Sequence, residues 1–193
     1  MSTVLQIALS FIIFGLLLLL IIGVDTNVRS VTHQATFDKN SQENIVSLAE
    51  LFDHDFSKIG HRTSSIKFKA GNLDSNQIAY YADYDNDGSV DSISYFIGDT
   101  EETGNPNPNT YSLYRKINNN EPAKVGVNIV SFKISYFDSA MTQLDYNNLN
   151  QQTEINKIRA VKVQVRVESQ YKFNQNFSST FWEKTYFPRN LRL

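Results

Sequence analysis

The 193-residue chain contains no cysteine. That excludes a disulfide framework, a thiol nucleophile and cysteine-bound zinc. Proline and glycine are scarce, four and eight residues, and neither occurs between Asp25 and Ile59. Charge of either sign is absent from the first 24 residues; all 18 Lys/Arg and all 20 Asp/Glu come later. The formal net charge is −2 and no basic block stands out, so there is no electrostatic footprint for nucleic acid. His33, His54 and His61 form no His-x-x-x-His pair. Neither a Gly-rich phosphate loop nor a Gly-x-Ser-x-Gly elbow occurs. With no nucleophile, base and orienter in any recognisable set, the sequence reads as a non-enzyme.

What is present begins with Val4–Val24, 21 residues in which only Gln6 and Ser10 are strongly polar. As a helix this run is roughly 31 Å long, the thickness of a bilayer's hydrocarbon core. A cleaved signal peptide would have a basic start, a shorter apolar core and a small-residue cleavage site. No Lys or Arg precedes the run and no Ala-x-Ala follows it, so a retained anchor is the expectation. Arg29, the first basic residue, lies beyond the span and says little about orientation.

The helical pattern continues past the span. Ile45, Leu48, Ala49, Phe52, Phe56 and Ile59 recur at spacings of three and four, which places them on one helix face. Gly60 offers a stop. Between Thr32 and Asn44 the pattern is polar, which leaves room for a break. Asp53, His54 and Asp55 are assigned to the solvated face of this helix.

Beyond Gly60 the period becomes two. Val161, Val163, Val165 and Val167 alternate with Lys162, Gln164, Arg166 and Glu168, a half-buried strand. Val130, Phe132, Ile134 and Tyr136 alternate in the same way. Further strand candidates are Ser65–Lys69, Gln77–Tyr84, Val90–Ile97, Thr110–Ile117 and Thr180–Phe187. Gly98–Asn109, Asn118–Gly126 and Ser139–Asn156 read as polar connections, rich in the chain's 20 asparagines. One-sided strands need a cover, and the amphipathic stretch ending at Ile59 supplies one. The expected fold is α+β: a long amino-terminal helix packed on a mostly antiparallel sheet. The expected organisation is a transmembrane segment at 1–24, a helical continuation at 25–60 and a β-rich domain at 61–193.

The densest chemistry lies in Asp83-Tyr84-Asp85-Asn86-Asp87-Gly88-Ser89-Val90-Asp91. Carboxylates at alternate positions followed by glycine resemble the start of an EF-hand calcium loop. The bidentate glutamate of position twelve is missing, because Ser94 stands there. A shorter Ca²⁺ loop using Asp83, Asp85, Asp87 and Asp91 is one reading; an Asx-rich hairpin turn without metal is the other. His61 with Ser64 and Ser65 reads as a helix end and a turn, and Glu101–Glu102 as a solvated pair.

Taken in order, these segments resemble minor pilins and pseudopilins of the type IV pilus and type II secretion class, in particular the large pseudopilin called J and its pilus counterpart W. The resemblance rests on the apolar start, on Leu48–Gly60 closing the first helix and on the acidic hairpin within Ala82–Tyr95. It continues through Tyr111–Arg115, Val130–Asp138, Ile158–Glu168 and the Tyr186-Phe187-Pro188-Arg189-Asn190-Leu191 tail. The family's basic leader and peptidase site have no counterpart here. With Met1 alone removed, Gln6 would occupy the place of the family's glutamate, a neutral side chain that can hydrogen-bond but not ion-pair.

The resemblance implies a pilin-like fold and a filament-assembly or tip-capping subunit in the inner membrane, with its carboxy-terminal domain in the periplasm or on an extracellular filament. Its partners would be other pilin or pseudopilin subunits, met through Leu5, Gln6, Leu9, Ile13, Leu16 and Leu20. The alternative is a membrane-tethered, extracytoplasmic calcium-dependent binding module or adhesin, in which the Asp83–Asp91 loop is functional and the helix only a tether.

Overall fold

The computed structural model of the chain describes residues 2–63, 66–98, 106–172 and 175–191. Ser64, Ser65, Glu101 and Glu102, and with them the start of the Ser65–Lys69 candidate and most of the Gly98–Asn109 connection, lie outside the described residues. The fold is α+β, an arrangement consistent with the pilin-like fold. One helix, α1 (Ser2–Ser57), is followed by six strands: β1 (Gln77–Ala82), β2 (Asp91–Ile97), β3 (Tyr111–Ile117), β4 (Ala123–Phe137), β5 (Ala160–Glu168) and β6 (Ser179–Tyr186). A four-residue helix, α2 (Gln152–Ile155), lies between β4 and β5.

Helix α1 runs unbroken for 56 residues, about 84 Å at 1.5 Å per residue. The polar stretch Thr32–Asn44 does not interrupt it. Thr32 and Thr36 each return their hydroxyl to the carbonyl four residues back, and the absence of proline and glycine leaves nothing to break the ladder. After Ser57 the chain tightens into a turn at Gly60, whose φ of 74° belongs to the left-handed region. The Gly60 amide donates to Tyr81 O at 2.9 Å. A Cβ there would meet Asn190 Cβ and Lys67 Cδ at 3.3 Å, so both backbone shape and close approach favour glycine.

The six strands pair in chain order, β1-β2-β3-β4-β5-β6, every pair antiparallel. The long β4 serves two neighbours: Ala123–Ile129 face β3 and Ile129–Phe137 face β5. The register slips between Ile129 and Ser131, beside Asn128 at φ 61°. The expected connection Asn118–Gly126 is therefore partly strand. Its residues are polar because the outer side of that strand is wet. The candidate at Ser65–Lys69 is reduced to one bridge, Phe68 with Tyr80, flanked by hydrogen bonds from Tyr81 N to Lys67 O and from Lys69 N to Ala79 O. This short segment caps the β1 edge. Ser139–Asn156 is more than a polar connection, since Leu149 and Ile155 are buried and Tyr146 donates to Ile134 O at 2.7 Å.

The core lies between the last third of α1 and one face of the sheet. Ile45, Leu48, Phe52, Phe56 and Ile59 are buried against Ile78, Tyr80, Ile93, Tyr95, Leu113, Phe132, Ile134 and the four alternating valines of β5. Phe52 stacks on Phe56 at 5.3 Å and meets Tyr95, Phe132 and Trp182 at 5.4 to 6.0 Å. Phe56 presents edges to Tyr80, Tyr95 and Tyr186. Such offset and edge contacts add to what burial alone supplies. Above Leu48 the sheet carries Gly126, where a Cβ would come within 3.1 Å of Leu48 Cδ1; the missing side chain lets the helix sit down on β4.

Candidate functional site

Three regions of the molecule carry features beyond packing. The first is the amino-terminal part of α1. It forms one helix long and apolar enough to cross a membrane, and none of its most apolar stretch is buried. Leu5, Leu9, Ile13, Leu16 and Leu20 are all half exposed or more, so nothing in the domain covers them. Gln6 is exposed as well, and its carbonyl accepts from Ser10 Oγ at 2.9 Å. Thr3, Gln6, Ile7, Ser10, Phe11 and Phe14 outline a shallow, mainly apolar groove on this rod.

The second region is the seam between α1 and the sheet, where one expectation is corrected. Asp55 is not on a solvated face but fully buried. Its Oδ2 accepts from Tyr95 Oη at 2.6 Å and from Arg115 Nε at 2.7 Å, while His54 Nδ1 lies 2.9 Å from Oδ1. The helix turns Asp55 toward β2 and β3, where Arg115 sits on the inward face of β3, opposite Tyr95 in register. A buried carboxylate persists only when charge and hydrogen bonds compensate it, and all three partners do so here. Burial and the Asp55 charge push the Tyr95 phenol well above its usual range. Arg115 is held cationic: burial opposes its charge, but the bond to Asp55, the charge of that carboxylate and the neighbouring Tyr95 and Tyr84 together outweigh burial.

Two residues earlier, Asp53 leans to the other side and accepts from Lys184 Nζ and Tyr186 Oη, each at 2.7 Å. Burial alone would raise the Asp53 carboxyl, but these two donors hold it below the ordinary carboxylate value. Each flank of the helix is thus fastened by a carboxylate, a cation and a tyrosine. The available signal was Arg115 itself: a lone cation between Leu113 and Ile117 on an inward face requires a buried anion.

The third region is the hairpin between β1 and β2. Ala82 pairs with Asp91, so Asp83 and Asp91 stand at its two feet. Asn86 at φ 63° and Gly88 at φ 91° make the return. Asp83, Asp85 and Asp91 converge: each offers a carboxylate oxygen, all within 4.8 Å of one another. Asp87 is not part of that group; its Oδ1 accepts from Ser89 N at 2.6 Å. Asp91 accepts from Tyr84 N at 3.0 Å and from Asn118 Nδ2 at 2.7 Å.

Asp83 is buried, and its Oδ2 accepts from Arg62 Nη1 at 3.1 Å. Among the described residues no donor meets its Oδ1 with strict hydrogen-bond geometry, although the amides of Asn86 and Gly88 lie close by. Burial would raise this carboxyl; the Arg62 guanidinium and the nearby amides of Gly88 and Asn86 more than offset that and hold it low.

The hairpin is docked on the end of α1. Lys58 Nζ donates to Tyr84 O, Asp83 N donates to His61 O, and His61 Nε2 lies 3.3 Å from Asn86 Oδ1. The Tyr84 ring is flanked by the Lys58 ammonium at 4.9 Å and the Arg115 guanidinium at 4.8 Å. The helix end, the buried Asp55 cluster and the acidic loop therefore form one connected polar assembly.

Among the described residues, nothing brings His61 into a nucleophile–base pair. Two further concavities flank the same turn and the outer sheet. One, of about 620 Å³, is lined by Arg62, Lys67, Asn156, Arg159 and Asn190, among others. Lys67 Nζ donates to Asn190 O, and Arg159 donates to the carbonyls of Asn156 and Ile158. These cations are committed to tying chain segments together. No family model matches the sequence, and no curated protein matches it either.

Proposed function

We propose that the chain is a non-enzymatic assembly subunit of the minor pilin or pseudopilin class, acting in a type IV pilus or a type II secretion pseudopilus. The observation that carries this reading is the continuity of α1. Its first third is apolar on every side and uncovered, and the same rigid element goes on to roof the sheet. A helix of this kind rests stably in lipid. It leaves lipid only when other helices replace the contacts that the acyl chains made. The stripe Leu5, Leu9, Ile13, Leu16 and Leu20 then packs against sister helices, with Gln6 as a polar contact inside the bundle. The domain stands on the periplasmic side of the inner membrane or on the filament, where it meets other minor subunits.

Site-specific photocrosslinking from Leu5, Leu9 and Ile13 in cells tests this directly. The expected result is adducts to other short chains with an apolar amino terminus. Adducts to lipid alone, under conditions where filaments assemble, would sink the proposal.

A second reading, a membrane-tethered calcium-dependent binding module or adhesin, is favoured by the convergence of Asp83, Asp85 and Asp91. It expects the domain to adhere to its target only with Ca²⁺ present and without any helix–helix partner, so the same crosslinking experiment separates the two.

A further inference from the structure

We infer that the outer face of β1, β2 and β3 is a binding site for an acidic saccharide, a sugar chain that carries carboxylates. Ile78, Tyr80, Ile93 and Tyr95 are buried in the core under α1, so their strand neighbours Ala79, Ser92, Ser94 and Phe96 point the other way. On that far side the sheet is hollow, with a volume of about 470 Å³. This is within the range of small-ligand sites. The floor is low because Ala79, Ser92 and Ser94 are small. Lys69, Asn72 and Asn76 wall the hollow before β1, and Asn118, Asn119 and Pro122 wall it after β3.

The register sets the chemistry out in rows. The bridge of Phe68 to Tyr80 brings Lys69 beside Ala79; Ala79 pairs with Ser94, and Ser94 with Lys116. One row across the sheet thus runs from an ammonium over two small side chains to a second ammonium. In the next row Gln77 pairs with Phe96 and Phe96 with Tyr114, whose rings stack at 5.8 Å and 16°. An aromatic ring has an electronegative face, which suits the weakly positive C–H face of a sugar ring. The amides and hydroxyls around it suit the sugar's hydroxyls.

These groups are not spent on the fold. Among the described residues, the side chains of Asn72, Asn76, Gln77, Ser94 and Asn119 make no hydrogen bond within the chain, and Lys69 and Lys116 make no ion pair. No carboxylate lines the hollow, although the chain as a whole carries a net charge of −2. Positive charge at both ends of a row selects a ligand with repeated carboxylates over a neutral one. An acidic peptide fits less well. It would bind best by adding to a strand edge, and β2 and β3 are interior strands. The site depends on neither reading of the function, since it lies on the face of the sheet that α1 leaves open.

The test is calorimetric titration of tetragalacturonate into the full chain, in micelles of a detergent without a sugar head group and in buffer free of divalent cations. We expect saturable binding with Kd tighter than about 1 mM. Lys69→Gln and Lys116→Gln should each weaken it at least about fivefold through a lost charge-assisted hydrogen bond. Phe96→Leu, which keeps apolar bulk but no ring, should weaken it by about the same factor. Lys133→Gln, on the outer side of β4 and not among the residues lining the hollow, should leave it within about twofold. Uncharged cellotetraose, and tetraglutamate with carboxylates but no sugar ring, should each bind at least about fivefold more weakly. The absence of saturable tetragalacturonate binding up to about 10 mM would overturn the assignment. So would a Lys116→Gln variant that binds like the wild type, or tetraglutamate bound as tightly as the saccharide, which would make the hollow an acidic-peptide site. Each readout comes from the purified chain alone, so failure here is distinguishable from failure to find helix partners in cells.

Discussion

The two ends of α1 are one helix in two solvents. The last third buries a single stripe, Ile45, Leu48, Phe52 and Phe56, and leaves its other sides polar. The first third is apolar all round and buries nothing. The backbone geometry is the same; only the placement of apolar residues differs. A stripe is what a sheet can cover, while a full cylinder is what lipid or a ring of helices can cover. Substitutions at the two ends should therefore fail in different assays.

The largest effect is expected at the buried end. Phe52→Ala removes the ring that stacks on Phe56 and meets Tyr95, Phe132 and Trp182, and should destabilise the domain by about 3–5 kcal/mol, read as a lowered denaturation midpoint. Asp55→Ala should cost a similar amount, about 3–5 kcal/mol, because it strands Arg115 and Tyr95 without their acceptor. Adding Arg115→Leu to that variant should recover part of the loss. A double variant no better than the single one would show that the ion pair is not what binds helix to sheet.

At the apolar end, Leu16→Lys should leave the domain's thermal midpoint unchanged. It should still cost about 2.5–3.5 kcal/mol of membrane insertion, measured by carbonate extraction or protease protection.

The smallest effect belongs to the exposed flank. Asp53→Asn should cost less than about 1 kcal/mol, since solvent screens the half-exposed pair with Lys184. This contact also sets part of the pH response. The Asp53 carboxyl is held below its unfolded value, so its stabilisation is complete above the unfolded carboxylate range and disappears as pH falls through the folded value. Tyr95 and Tyr186 are displaced the other way, raised by burial and by their aspartates. Their contribution is intact below the unfolded phenol value, about pH 10, and drains away as pH climbs beyond it. A denaturation series across pH should show a plateau with shoulders on both sides. Asp53→Asn should flatten the acid shoulder and, by removing the charge that helps to raise Tyr186, shrink the alkaline one as well.

Much of this architecture was legible from periodicity. The stripe from Ile45 to Ile59 and the alternating valines from Val161 to Val167 each announce one buried face, and those faces meet. What escaped has a common physical origin, partners far apart in sequence. Asp55 looks like any polar helix residue until Arg115, 60 positions later, turns up opposite it. The extension of β4 back to Ala123 was hidden because a strand wet on one side and bulged at Asn128 loses its alternation. At the acidic loop the motif located all four aspartates, but only the bend of the hairpin separates Asp87 from the three that converge. The burial of Asp83 depends on Arg62 and on the end of the helix, which no local spacing reveals.

The order of the sheet has one further consequence. Strands join in the sequence in which they are made, yet among the strands the helix that opens the chain packs most extensively on β6, the last of them. During synthesis, the greasy underside of the helix has to wait for nearly the entire polypeptide before its final neighbour arrives. A nascent chain halted before Ser179 would hold five strands and a lid with no latch, and quality-control proteases would meet it in that state.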